Sequence, residues 1–280
     1  MCPQNIEKGD FMSYNISNLQ VDLFNAMKSR PNGGVYSGRA LGNSANIPLW
    51  TPDKIQSYFN GIVTAHNLFF TELSLKDFAQ LIVCESCQES TGDYRLGVKP
   101  VDLNDHSSAG IIQVTPGSVL LDYQNWGVPI IDVTGKIILN PQSVLDLDLN
   151  DPGVCVVIWA FYTKNVVVMG VSLNEYGNRV AWNIPTGEMT RDFGNAQAVW
   201  LSGGGVSNDR HTTTGQRAYQ DYYNRILDYY IASGFGTKVQ FDNLLNTPLN
   251  NKVLAVYNIE NNLIDNRDTC FGIDKIGIYS

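Results

Sequence analysis

From Val154 to Tyr162 the residues read Val154-Cys155-Val156-Val157-Ile158-Trp159-Ala160-Phe161-Tyr162, without one charged side chain. A helix of this composition has no polar side to turn toward water, so other elements must wrap it on every face. Asp151-Pro152 just before it is a start signal. The aspartate caps the free N–H groups, and the proline takes a position where no N–H is needed. Periodicity carries the helix on to Val168. Thr163-Lys164-Asn165 breaks the apolar run well short of the ~20 residues that cross a bilayer. A buried helix inside a packed core is therefore predicted, and no membrane partner.

Composition fits that core. The chain has 280 residues, 44% of them hydrophobic and 16% charged, against a usual ~25% charged. These values exclude a disordered chain, a coiled coil and a collagen. Nineteen Lys and Arg face 27 Asp and Glu, a net charge of −8. Phosphate is neutralised by clustered Lys and Arg, so nucleic acid is not an expected partner.

Other helices announce themselves the same way. Thr51-Pro52-Asp53 opens one through Ile55, Phe59 and Ile62, and Ser74 caps the next, which ends near Gly92. A fourth, from about Gln216 to Ser233, spaces Tyr219, Tyr222, Tyr223, Ile226, Leu227, Tyr230 and Ile231 at helical intervals before Gly234 stops it. Residues 1–50 read as an irregular N-terminal extension, with a turn at Pro31-Asn32-Gly33-Gly34. Residues 51–235 read as the helical domain, and 236–280 as a β-rich extension packed on it. In that extension Val239-Gln240-Phe241, Val253 to Tyr257 and Ile273 to Tyr279 resemble short strands. The expected fold class is mainly α (α+β), with a small β wing and a short β-rich tail.

Cys84 and Cys87 form a CxxC on a helix, without a second pair or a nearby histidine; a structural zinc site needs four ligands. They and Cys155 read as small buried apolar residues, while Cys2 and Cys270 could pair in an oxidising compartment. No metal or cofactor is expected.

The helix Leu75 to Glu89 carries the chemistry. Its apolar stripe of Leu75, Phe78 and Ile82 continues, in steps of three and four, to Glu85 and then Glu89. Two carboxylates thus fall on the core-facing side at the C-terminal end. Burial, the negative end of the helix dipole and a like charge one turn away all raise a carboxyl pKa toward the range of a general acid. A purely structural role, in backbone bonds or a pair with Arg95, is the competing reading.

Gln88-Glu89-Ser90-Thr91-Gly92, then a loop, then Ser107-Ser108-Ala109-Gly110-Ile111-Ile112-Gln113-Val114-Thr115-Pro116 resembles the lysozyme-like superfamily. The nearest pattern is that of lytic transglycosylases and goose-type lysozymes: a helix-terminal Glu-Ser followed by Ser and Gly-aliphatic-aliphatic-Gln. Gln88 to Gly92 is also similar to a plant-type chitinase motif, as are Leu139-Asn140-Pro141 and Ile158-Trp159-Ala160-Phe161-Tyr162. The resemblance spans roughly 70–232. Two departures stand out: Trp200-Leu201-Ser202-Gly203 replaces the family's Tyr-Asn-Ala-Gly, and no glutamate fills the chitinases' second-carboxylate position.

The resemblance implies a lysozyme-like helical domain and a glycosidase or lytic transglycosylase acting on β-1,4-linked amino-sugar polymer: chitin, chitosan or peptidoglycan. Glu89 is the implied proton donor. An inverting hydrolase needs a base carboxylate ~6.5–9.5 Å from the acid; Asp93, Asp102 and Asp105 are the candidates, with ordinary solvated loop acids as the alternative. A transglycosylase needs only the one acid. The substrate-binding set is Glu85, Ser107, Ser108, Gln113, Tyr123, Trp126 and Tyr222. Within it Glu85 raises the pKa of Glu89 or braces it, and Ser107, Ser108 and the Gln113 amide bond the sugar. Tyr123 and Trp126 stack on sugar rings, and Tyr222 bonds Glu89. For Gln113 a bond within its own loop is an equal alternative; for Tyr222, Tyr123 and Trp126 core packing is the commoner role of such aromatics. A net acidic chain favours neutral chitin or cationic chitosan over an anionic wall. A non-catalytic glycan-binding protein on the same fold is the other functional reading. Few lysines, many Asn, Ser, Thr and Tyr, and the sequon Asn15-Ile16-Ser17 suggest a secreted monomer whose signal has been removed; a cytoplasmic location stays open.

Overall fold

The computed structural model describes residues 14–29, 44–98, 107–115, 130–131, 134–140, 146–169, 171–173, 179–181, 189–202, 208–250, 256–257 and 263–264. The fold is mainly α. Seven helices are described: α1 (Ile16–Lys28), α2 (Pro52–Phe69), α3 (Leu75–Ser90), α4 (Pro152–Met169), α5 (Phe193–Ser202), α6 (Thr213–Ala232) and α7 (Lys238–Leu245). Three antiparallel two-stranded pairs accompany them: β1 (Ile130–Ile131) with β2 (Ile137–Leu139), β3 (Val171–Leu173) with β4 (Arg179–Ala181), and β5 (Val256–Tyr257) with β6 (Leu263–Ile264). Among the described residues no helix is long and apolar enough to cross a membrane.

The predicted start signals hold: Thr51 and Ser74 cap α2 and α3 with their hydroxyls, and Asp151 accepts from the N–H groups of Gly153 and Val154 to open α4. The helix expected from about Gln216 begins at Thr213, capped by Thr212. As its composition demands, α4 lies at the centre, with every residue from Cys155 to Phe161 at most 1% exposed. It crosses α2 with the two backbones in contact. A Cβ added at Gly61 would run into the backbone of Gly153, and one at Gly153 into the carbonyl of Ser57. Phe70, Phe78, Trp159 and Phe193, from four successive parts of the chain, close on one another with centroids 5.2–6.5 Å apart. The one charged residue of α4, Lys164, is fully buried and donates to Glu72 at 2.7 Å, its charge lying 5.5 Å from the Phe70 ring centre. Burial lowers the Lys164 pKa, against the pull of Glu72.

Two sequence expectations need correction. Residues 16–28, placed in an irregular extension, form α1. Asn15 caps it by accepting from Ser17 and Asn18, and Leu19, Leu23, Ala26 and Met27 are fully buried. Val239-Gln240-Phe241, read as a strand, belongs to α7. Val239 is 68% exposed while Phe241 and Leu245, four apart, are fully buried, and a capping box between Thr237 and Gln240 starts the helix. The β-rich extension therefore begins with a helix; β5 falls within the predicted strand Val253 to Tyr257, and Ile273 to Tyr279 lies outside the described residues, as does the turn at Pro31 to Gly34.

A polar knot fastens α7 to α5 and α6. Asp192 caps α5 through Asn195 N, takes a bidentate pair from Arg210 at 3.1 and 3.0 Å, and has His211 Nε2 at 2.6 Å. Arg210 also donates to Leu245 O and to Asn246 at the end of α7. Asp209 accepts from Thr190 N, His211 N and Asn195 Nδ2. Burial would raise the Asp209 pKa, but these donors overrule it and hold the carboxyl below its usual range.

Candidate functional site

Helix α3 brings the two predicted carboxylates to one place. Glu85 is fully buried. Trp159 Nε1 on α4 donates to its Oε1 at 2.7 Å, Tyr222 on α6 to the same oxygen at 3.2 Å, and Gln197 Nε2 on α5 to Oε2 at 3.3 Å. The Gln197 amide is oriented in turn by the hydroxyl of Tyr219, 2.7 Å from its Oε1. The cage contains neutral donors and no cation. Burial first, and the charge of Glu89 second, push the Glu85 pKa up to about 8, against the opposing effect of the three donors.

Glu89 stands one turn further on and is half-buried. The Tyr222 hydroxyl is within hydrogen-bonding reach of it as well as of Glu85. The helix stops directly afterwards. Ser90 Oγ turns back onto Ser86 O at 2.9 Å, and Thr91 takes the left-handed conformation, φ 56°. Asn46 Nδ2 and Trp50 Nε1 hold the exit by donating to Thr91 O and Gly92 O. Glu89 thus sits half-buried in the last turn of α3, at the end of a buried acidic stripe and at the negative end of the helix dipole.

Gly110-Ile111-Ile112-Gln113 forms a tight turn beside the site. Ala109 and Val114 exchange backbone bonds at 3.1 and 2.8 Å across its base, and Gln113 N donates to Gly110 O. Gly110 has φ 85°, and an added Cβ there would meet Leu149 O and Cys155 Sγ, so only glycine fits. Trp200 Nε1 donates to Ile112 O at 3.1 Å, pinning the turn to α5.

Among the predicted ligands, the structure brings Glu85, Glu89 and Tyr222 together. Gln113 has another task. Its Nε2 donates to Leu96 O and Gly110 O, and its Oε1 accepts from Ser108 Oγ, so the amide is engaged inside its own turn. These bonds are those of the structural alternative for Gln113, and the Ser108 hydroxyl is tied to the same turn. Ser107 lies beside it, half-buried. Asp93 accepts from Arg95 N and Nε within its own loop. Asp102, Asp105, Tyr123 and Trp126 lie outside the described residues, as do Cys2 and Cys270. Cys84, Cys87 and Cys155 are free and buried. Among the described residues no group of three or more His, Cys, Asp or Glu is placed to hold a metal.

The cage donors Trp159 and Gln197, and Tyr219 behind Gln197, escaped the sequence reading. A signal existed: a glutamine inside the apolar helix Phe193 to Ser202 and an indole inside α4 each need a buried polar partner. Which partner they share depends on tertiary packing.

Comparison with known proteins yields no matching family model, curated protein or solved structure.

Proposed function

We propose that the chain is a glycosidase, or a lytic transglycosylase, acting on β-1,4-linked amino-sugar polysaccharide, with Glu89 as the general acid. One observation carries the reading: a half-buried carboxylate at the last turn of α3, held against a fully buried acid and a shared phenol. Such surroundings favour a carboxyl that keeps its proton until a leaving oxygen takes it. As the glycosidic bond breaks, its electron pair remains on that oxygen, and the Glu89 proton neutralises it. In an inverting hydrolysis Asp93, Asp102 or Asp105 takes a proton from the attacking water; in the transglycosylase route a group of the sugar itself closes the ring. The net charge of −8 favours chitin or chitosan over an anionic wall. The partner is the polysaccharide, and the chain acts as a secreted monomer.

The test is mass spectrometry of products from chitin oligomers, chitosan oligomers and peptidoglycan fragments, with wild type and Glu89→Gln. Cleavage by wild type and a loss of at least ~10²-fold in Glu89→Gln would support the reading. An anhydro end would select the transglycosylase route. No cleavage of any of the three by wild type overturns the catalytic reading, and retained binding would then point to a glycan-binding protein.

A further inference from the structure

Tyr222 faces two carboxyl groups with one proton of its own. Its oxygen lies 3.2 Å from Glu85 Oε1 and within hydrogen-bonding reach of Glu89. A phenol donates once and accepts through its lone pairs. If it donates to one carboxylate, it can bond the other only by accepting from a protonated carboxyl. The geometry therefore has two equivalent fillings. In the first, protonated Glu85 donates to Tyr222 and Tyr222 donates to ionised Glu89. In the second, protonated Glu89 donates to Tyr222 and Tyr222 donates to ionised Glu85, which keeps the bonds from Trp159 and Gln197.

We propose that Glu85, Tyr222 and Glu89 form a proton relay, in which the Tyr222 hydroxyl passes a proton from the buried carboxyl to the acid at the mouth of the site. In the transfer the Glu85 proton bonds to the phenol oxygen as the phenol's own proton moves to Glu89. Tyr222 is unchanged, and one negative charge moves from Glu89 to Glu85. The cage of neutral donors is what makes that charge tolerable at Glu85. The use of the relay in turnover rests on Glu89 being the acid. There the leaving oxygen takes the proton from Glu89, Glu85 replaces it through Tyr222, and a proton from solvent restores the pair before the next turnover. Glu85 is then a positioning residue that never touches sugar.

The titratable groups facing Glu85 are few. α2 contributes Tyr58, α3 contributes Cys84 and Glu89, and α6 contributes Tyr219 and Tyr222, with Arg210 and Asp192 felt beyond Tyr219. α4 and α5 offer only Trp159 and Gln197, which do not titrate. Burial holds Tyr58, Cys84, Tyr219 and Tyr222 neutral well beyond their ordinary ranges. Among the described residues, that leaves the two glutamates as the groups that can exchange a proton.

The test is a carboxyl 13C NMR titration of protein labelled at glutamate Cδ, without substrate, run beside the pH profile of cleavage. In wild type the Glu85 and Glu89 signals should both report one upper step near the pH of about 8 that burial gives Glu85. In Glu85→Gln, an isosteric change, Glu89 should lose that step. In Tyr222→Phe the Glu89 signal should lose most of the upper step while Glu85 keeps its own. In parallel the alkaline limb of kcat should move down by at least ~1 pH unit in Glu85→Gln, which corresponds to a tenfold change in protonated fraction. A Glu89 titration that ignores Glu85→Gln, or an alkaline limb that does not move, overturns the relay. Absence of all cleavage by wild type overturns the glycosidase reading instead, and the titration still decides the relay.

Discussion

Around Glu85 the partners are an indole, an amide and a phenol; around Asp192 and Asp209 they are a guanidinium, an imidazole and backbone N–H groups. Glu85 is fully buried, and Asp192 and Asp209 are buried beneath a part-buried Arg210 and an exposed His211. In the first, three neutral donors offset only part of the cost of burying charge, and the carboxyl is driven up to about 8. In the second, direct donors overrule burial and Asp209 stays below its ordinary range. A neutral cage holds a proton in reserve, whereas a cationic knot holds a negative charge in place. The first is suited to acid–base chemistry and the second to tying α5, α6 and α7 together.

Removing the pivot of the knot should have the largest effect. Asp192→Ala strips Arg210 and His211 of their shared carboxylate and α5 of its cap. A buried charge left without its partner costs about 3–5 kcal/mol, to be read by urea unfolding. The next contrast is in pH. Glu85 has a folded pKa near 8 against 4.5 unfolded. Its contribution to stability is therefore fully present below about 4.5 and lost as pH rises through about 8. Glu85→Gln should flatten that decline, leaving the variant more stable than wild type at pH 9 by a difference on the order of a few kcal/mol.

Asp209 should behave in the opposite sense. Its folded pKa is lowered from 3.8, so its contribution is present above that value and fades as pH falls through the lowered one. Asp209→Asn should cost about 1–2 kcal/mol at neutral pH, through the backbone donors it leaves poorly paired, and the difference from wild type should shrink in acid. Unfolding curves at a series of pH values would show both trends. The smallest effect belongs to a pair in neither cluster. Arg95 is half-exposed where it meets Asp93, and Arg95→Ala should shift stability by less than about 0.5 kcal/mol.

The sequence revealed most of the helical frame because its signals are local. Thr51-Pro52, Ser74 and Asp151-Pro152 each cap within a few residues, and α4 declares its burial through composition alone. α1 and α7 were missed for the same physical reason. Their buried stripes, Leu19 to Met27 and Phe241 with Leu245, are narrow, and polar residues fill the spaces between. In α7 the apolar pair Val239 and Phe241 also imitates strand alternation, although only Phe241 turns inward. At the site, the stripe through Glu85 and Glu89 was readable from helical spacing. The cage was not, since Trp159, Gln197 and Tyr222 reach Glu85 across separations of 74, 112 and 137 residues. At Gln113 the two readings offered by the sequence, sugar ligand and loop bond, differ in reach, and the structure shows the loop bonds.

The touching backbones of α2 and α4 have a consequence for how this chain can vary. At Gly61 and Gly153 every replacement adds atoms, and each added atom meets main chain that cannot rotate away. Elsewhere in the core a lost methyl group can be answered by a gained one next door. Here no neighbour has anything to give up. A library of single substitutions should show these two positions as blanks.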